Sequence, residues 1–303
     1  MGANTLRRIE QEYALRMDMN ATRIAVVTGA SRGAGKGIAL ALAASGTTVY
    51  VTGRTSADGQ ADLPGTVAQT ADEITARGGV GIPVIVDHSD DAQVAALFDR
   101  VRSEHGKLDI LVNNAIAIPS ALTKKGPFWE KPLDLTDLFD VGMRSSYVSS
   151  FYAGPLLAAN GSGLVVNTSS FGGSCYMHGP AYGAGKAAVD KMAHDMAVDF
   201  KPFGVAVISL WMGLLKTERT MAAFAANPAM YEGLAATAES VEFPGRIIDA
   251  LHRDPSLMER TGQVLVGAEI AQELGVTDVD GNQPPSHRPF LGDPPTFSAA
   301  VVE

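Results

Sequence analysis

The sequence predicts an α/β fold, a doubly wound parallel sheet with helices on both faces, in a single domain. Three observations predict it. Short apolar, β-branched runs alternate with stretches of helical periodicity from residue 24 onward. A cluster of glycines separates the first apolar run from the first helix. The bulk composition, 303 residues with 46% hydrophobic and 19% charged, leaves ample material for a large core.

The first strand is Ile24 to Val27, and Ile38 to Leu42 carries the first helix after the glycine loop. Thr47 to Thr52 reads as the second strand, and Thr66 to Arg77 as an amphipathic helix closed by Gly78-Gly79. Val80 to Val86 is the third strand. Ser89 is the expected N-cap of the next helix, with Gln93 near the capping-box position. Leu108 to Val112 is the fourth strand, ending in Asn113-Asn114-Ala115. This β-α-β-α-β-α-β order demands crossover helices between parallel strands. Ile116 to Pro132 lacks periodicity and reads as a loop. Leu133 to Ala159 is helical in pattern, interrupted at Gly142 and at Gly154-Pro155. Leu164 to Thr168 is the fifth strand, Pro180 to Phe200 a helix with proline at its tolerated first position, and Gly204 to Leu210 the sixth strand.

Residues 214–240 are rich in Ala and Met and broken by Pro228, which suits two short helices forming an apolar flap over a site; a core or subunit contact is the alternative. Val241 to His252 is a further helix and Gln263 to Val266 the last strand. The expected organisation is an extension over residues 1–21, a domain over 22–281, and a proline-rich irregular tail over 282–303.

Net charge of −9 argues against a nucleic-acid surface. The single cysteine, Cys175, excludes an internal disulfide and a cysteine-rich metal site, and no metal-ligand spacing occurs. No run reaches membrane-span length, the first 20 residues lack the apolar core of a secretory signal, and Leu6 disfavours myristoylation. A cytoplasmic location is the expectation.

The chemistry-bearing motifs fall at the ends of the strands. The loop T-G-A-S-R-G-A-G, with Gly29, Ser31, Arg32, Gly33 and Gly35, stands between a strand and a helix, where backbone amides can cradle a pyrophosphate. The second strand ends Gly53-Arg54-Thr55 and lacks the acid that would hold a ribose 2′-hydroxyl. Arg32 and Arg54 suit a 2′-phosphate instead, so NADP(H) is favoured over NAD; Arg54 as a solvated loop residue is the alternative. After the fifth strand, Tyr182 and Lys186 lie four apart on one helical face. A phenol beside an ammonium is expected to have its pKa lowered, and a loop serine could bond the same substrate oxygen. That is a proton donor or acceptor for an alcohol–carbonyl pair.

With T-G-x-x-x-G-x-G, Asn113-Asn114-Ala115, Ser170 and Tyr182-x-x-x-Lys186 in order, the sequence from Thr22 to Gly281 resembles the short-chain dehydrogenase/reductase family, which has a Rossmann-type fold. The resemblance implies Tyr182 as general acid/base, Lys186 lowering its pKa and holding the nicotinamide ribose, and Ser170 orienting the substrate oxygen. It implies Asp87 and His88 at the adenine, Thr55 beside Arg54, and Asn114 with Ala115 behind the nicotinamide ribose. Gly213, Leu215 and Thr217 would meet the carboxamide and phosphates. It also implies a homodimer or homotetramer and a small carbonyl or alcohol substrate.

Three positions depart from the family pattern. Gly142 replaces an asparagine that holds a proton-relay water, Ile116 replaces the glycine of N-N-A-G, and Met212 replaces the proline of P-G. The expected activity is reduction of a hydrophobic ketone or aldehyde by NADPH. A cofactor-binding regulatory protein with weak chemistry and an NAD-dependent alcohol dehydrogenase are the alternatives. His178, with Tyr176 and Met177, is either a substrate contact or a loop residue, and His194, Asp195 and Asp199 read as solvated or subunit-facing.

Overall fold

The computed structural model describes residues 22–302, so expectations for residues 1–21 lie outside the described residues. Seven parallel strands form one sheet: β1 (Ile24–Val27), β2 (Thr48–Gly53), β3 (Val80–Ile85), β4 (Ile110–Asn113), β5 (Gly163–Ser169), β6 (Val205–Trp211) and β7 (Val264–Val266). Their spatial order is β3-β2-β1-β4-β5-β6-β7. The chain therefore winds outward from β1 in one direction, returns to β4, and winds outward in the other. The crevice at the carboxyl ends of β1 and β4 is the topological switch point, where α/β sheets bind ligands.

Alternation along the strands builds two cores. Ala25 and Val27 of β1 face one layer, with α1 (Gly33–Ala44), α2 (Val67–Ala76) and α8 (Phe243–Arg253). Ile24 and Val26 face the other, with α3 (Asp91–His105), α4 (Ser145–Asn160) and α5 (Pro180–Phe200). Apolar residues on both faces of a strand are what a sheet covered on both sides requires. The remaining helices are α6 (Glu218–Ala226) and α7 (Pro228–Thr237) between β6 and α8, α9 (Gly267–Glu273) after β7, and the single turn α10 (Arg288–Leu291).

Three local expectations are corrected. The N-cap of α3 is Asp90, not Ser89: the Asp90 carboxylate accepts from Ala92 N at 2.9 Å and Gln93 N at 3.2 Å, while the Ser89 hydroxyl is taken up by Asp87. Of the two interruptions expected within Leu133 to Ala159, the one at Gly142 is present. A 3-10 turn (Leu133–Thr136) precedes a kink at Val141 and Gly142, and only then does α4 run unbroken. The one expected at Gly154-Pro155 is absent: Pro155 lies inside α4 on its exposed face, and the helix runs through it without the bond its amide would have made to the Phe151 carbonyl. Helix α9 was not legible as a separate element. Finally, His194 is not freely solvated but partly covered: its Nε2 lies 3.0 Å from Ser298 O and its ring packs on Phe297, because the tail folds back over α5.

Helix α1, which opens on the glycine loop, is held against α8 at backbone distance. A Cβ on Gly37 would run into the Val241 carbonyl, and one on Gly245 would lie 2.7 Å from Ile38 Cα. Neither obstacle is a flexible side chain. Gly37→Ala should therefore lower the unfolding free energy by about 3 kcal/mol, measured as a shift of the urea midpoint at unchanged m-value.

Candidate functional site

The glycine loop is shaped by close approach. Gly29 (φ +65°) has Ala115 Cα 2.8 Å from where its Cβ would stand, and a Cβ on Gly35 would strike the Gly29 carbonyl. The strand-end asparagine clamps this loop. Asn114 Nδ2 donates to Thr28 O at 2.9 Å and Gly29 O at 3.1 Å, and Thr28 Oγ1 accepts from the amides of Asn114 and Ala115. The glycines at 29, 33 and 35 thus leave backbone exposed at the N-terminus of α1, an arrangement that fits a dinucleotide pyrophosphate. The chain already places an anion there: Gly33 N donates to Glu218 Oε2 at 3.0 Å. Glu218 opens α6 directly after Thr217, whose own methyl lies over Gly33 and whose hydroxyl caps α6.

At the end of β2 stand the arginines. Arg32 donates to Thr55 Oγ1 at 3.0 Å, Gly65 O at 2.7 Å and Pro64 O at 2.9 Å. Burial pushes its pKa down, the Glu218 carboxylate opposes this, and the neighbouring Arg219 and Arg54 add to the lowering. Arg54 is exposed, with Asp87 4.0 Å away. Beneath them His88 is buried, its Nε2 2.8 Å from Thr52 Oγ1 and its Nδ1 without a partner; burial pushes it down to about 4, so the ring is neutral. Ser31 is buried, and its carbonyl accepts from Thr70.

On the other side of the switch point, β5 ends at Ser169 and α5 begins at Pro180. Ser170 Oγ and Tyr182 OH are 2.9 Å apart, and Ser170 Oγ also accepts from Gly172 N at 3.2 Å. Gly172 has no side chain because the Tyr182 ring fills that space. Lys186 Nζ donates to Thr168 O at 3.0 Å and lies 5.7 Å from the centre of the Tyr182 ring.

The expected lowering of the Tyr182 pKa is reversed here. Burial disfavours the phenolate and raises it, and the Ser170 hydrogen bond offsets only part of this. Lys186 keeps some surface in solvent, yet its ammonium sits in dense surroundings that push it down to about 8, with Asp190 opposing.

Sequence reasoning missed the groups beneath this pair. Asp190, one turn after Lys186 and fully buried, accepts from Ser209 Oγ at 2.6 Å and from Trp211 Nε1 at 3.0 Å. Gly173 must lack a Cβ because the Asp190 carboxyl occupies that position. Asn113 Nδ2 donates to Ser150 Oγ and Asn167 Oδ1, both at 2.9 Å, and Asn167 Nδ2 to Val189 O at 3.1 Å, joining β4, β5, α4 and α5 in one buried network. An Asp one turn beyond the lysine was the only sequence signal.

Two of the family departures meet in space. Gly142 adopts φ +146°, which side chains rarely allow, and Ile116 Cγ1 lies 3.3 Å from where its Cβ would be. Ile116 fills the volume a larger residue 142 would take.

The pattern of the short chain dehydrogenase family matches residues 23–228. The chain belongs to the short-chain dehydrogenase/reductase family. It is similar to mouse dehydrogenase/reductase SDR family member 1, with 40% identity over 270 residues covering 86% of this chain and 84% of that protein. The human counterpart is 39% identical over the same coverage. Hydroxysteroid dehydrogenase-like protein 2 of Xenopus laevis is 30% identical over 287 residues, 91% of this chain and 66% of its own length. A crystal structure from Sinorhizobium meliloti, described as a short-chain alcohol dehydrogenase, superposes with a TM-score of 0.66 over 81% of this chain and 94% of its own; at 24% identity it speaks for the fold. The family is one of oxidoreductases whose general chemistry is alcohol–carbonyl interconversion with a nicotinamide cofactor.

Residues 214–240 are closed at their base by a bridge between Leu215 and Glu239. The Glu239 side chain is buried, accepts from Gly213 N at 3.2 Å, and leaves Oε1 without a partner. Burial, with Asp278 adding, pushes it up to about 7. A carboxyl raised in the folded state contributes stability that is fully present below about pH 4.5 and is lost as pH rises through about 7. Glu239→Gln, which keeps the acceptor for Gly213, should flatten this dependence: denaturant melts at pH 5 and pH 8 should show the variant ahead at pH 8 by up to about 3 kcal/mol and little different at the lower end.

Proposed function

We propose that the chain is an NADP(H)-dependent oxidoreductase that interconverts a carbonyl and an alcohol, reducing a hydrophobic ketone or aldehyde, with Ser170, Tyr182 and Lys186 as its catalytic residues. The observation that carries this reading is the 2.9 Å pairing of Ser170 Oγ with Tyr182 OH under the Lys186 ammonium.

Bound nicotinamide supplies or accepts a hydride at the substrate carbon. Tyr182, kept protonated by its raised pKa, donates its proton to the developing alkoxide. Ser170 shares the same oxygen and fixes its position. Lys186, still largely cationic at neutral pH, stabilises the phenolate left behind and is held in place by Thr168 O. Gly29, Ser31, Gly33 and Gly35 would hold the pyrophosphate, Asp87 and His88 the adenine, and Asn114 and Ala115 the nicotinamide ribose. Gly213, Leu215 and Thr217 would close over it. Arg32, Arg54 and Thr55 at the end of β2 support a 2′-phosphate, because three nearby guanidiniums favour an added anion and no carboxylate ends that strand.

Among the described residues no helix is long and apolar enough to cross a membrane. A cytoplasmic location belongs to the same reading, supported by the lone cysteine. A homodimer or homotetramer is supported by exposed Tyr147 and Phe151 on α4 and Val198 on α5.

Two measurements test the reading. Tyr182→Phe should lower the reductase kcat by about 10²- to 10⁴-fold while costing NADPH affinity far less, as seen by fluorescence titration; turnover unchanged in this variant would sink the acid/base assignment. Arg54→Ala should weaken NADPH binding by about tenfold and leave NADH nearly unmoved, and an unaltered NADPH/NADH ratio would return the chain to the NAD-dependent alternative.

A further inference from the structure

The pocket beside Tyr182 is apolar at its wall and cationic at its mouth. A cavity of about 110 Å³ opens next to the Tyr182 ring, walled by residues that include Leu122, Phe128 and Leu135. A second, more open cavity of about 310 Å³ adjoins it, and Leu122, Lys131 and His178 line both. Lys124 and Lys125 stand on the outer one. No Asp or Glu lines either cavity, in a chain whose net charge is −9.

The lysine ion pairs among the described residues belong to Lys36, Lys107 and Lys191. Lys131, Lys124 and Lys125 take part in none of them. Lys131 is also the best placed of the three. It is half-buried, and its Nζ lies 3.9 Å from where a Cβ on Gly179 would stand. The adjacent His178 holds φ +60°, unusual for a residue with a side chain, and this sets its ring edge-on to Tyr182 with centres 5.1 Å apart. Burial and the Lys131 charge push His178 down, so the fixed cation on this wall is Lys131. A wholly apolar ligand filling the cavity would cover that ammonium and give it no partner, which is unfavourable. An anion there forms a charge-assisted hydrogen bond instead.

We infer that the substrate carries an anionic group as well as its carbonyl, and that Lys131, seconded by Lys124 and Lys125, binds it while the apolar wall takes the hydrocarbon between the two. This rests on the carbonyl–alcohol reading above. The shared chemistry is an anionic oxygen group, carboxylate or phosphate.

The test compares a straight-chain keto acid, the matching ketoalkyl phosphate and the methyl ester of the keto acid as substrates with NADPH. The full chain is used, with Lys131→Ala, Lys131→Glu and Lys131→Arg. The kcat/KM ratio of at least one anion over the ester should be about 10 to 100 in the parent chain. It should fall toward one in Lys131→Ala, invert in Lys131→Glu and persist in Lys131→Arg; whichever anion shows it identifies the group. A ratio near one in the parent chain, with all three compounds turned over, overturns the anion site and leaves carbonyl reduction standing. Calorimetric titration of the two anions into Tyr182→Phe separates the remaining cases. Lys131-dependent binding without turnover by the parent chain keeps the anion site and overturns the reductase reading. Absence of both binding and turnover overturns both.

Discussion

A single buried carboxyl group, that of Asp190, fixes how the Ser170 loop and the helix carrying Tyr182 and Lys186 meet. It draws the Ser209 hydroxyl and the Trp211 indole from β6 toward α5, and the loop that carries Ser170 approaches it so closely that residue 173 has to be glycine. Lys186 lies one turn back on the same helix. The distance between Ser170 and Tyr182 is therefore set by packing around Asp190 as much as by the residues themselves. A polar group with no access to water is tolerated only when its partners are in place, and each lost partner costs about 1–3 kcal/mol. That penalty makes the arrangement specific: α5 cannot slide along the sheet without unpairing Asp190.

The parts of the fold that were legible in the sequence are those encoded by neighbours in the chain. The strands are read from β-branched runs, the phosphate loop from glycines between a strand and a helix, and Tyr182 with Lys186 from their spacing of four. What escaped detection is encoded between distant residues. Asp190 looks like any surface aspartate on a helix until Trp211 is brought over it. His194 looks solvated until the tail, more than a hundred residues later, covers it. The Ser89 cap failed for a local reason: two aspartates flank it, and the longer reach of the Asp90 carboxylate captures the first amides of α3 while Asp87 captures Ser89. The direction of the Tyr182 pKa was misjudged because spacing says nothing of burial, which here raises it.

The contact between Glu218 and the Gly33 amide ties α6 to the glycine loop. The same amide cannot serve both the carboxylate and a second anion, so an anion seated at Gly33 would have to displace the Glu218 carboxylate. Glu239 ties the two ends of residues 214–240 together through Gly213 and the Leu215 bridge.

The fit of Ile116 against Gly142 has a consequence for substitution. An asparagine at 142 would meet both an unfavourable backbone angle and the Ile116 side chain. Shrinking residue 116 relieves only the second of these, because the backbone angle belongs to the kink before α4. A side chain at 142 is thus disfavoured twice over, by contact and by conformation, and the two positions are constrained together.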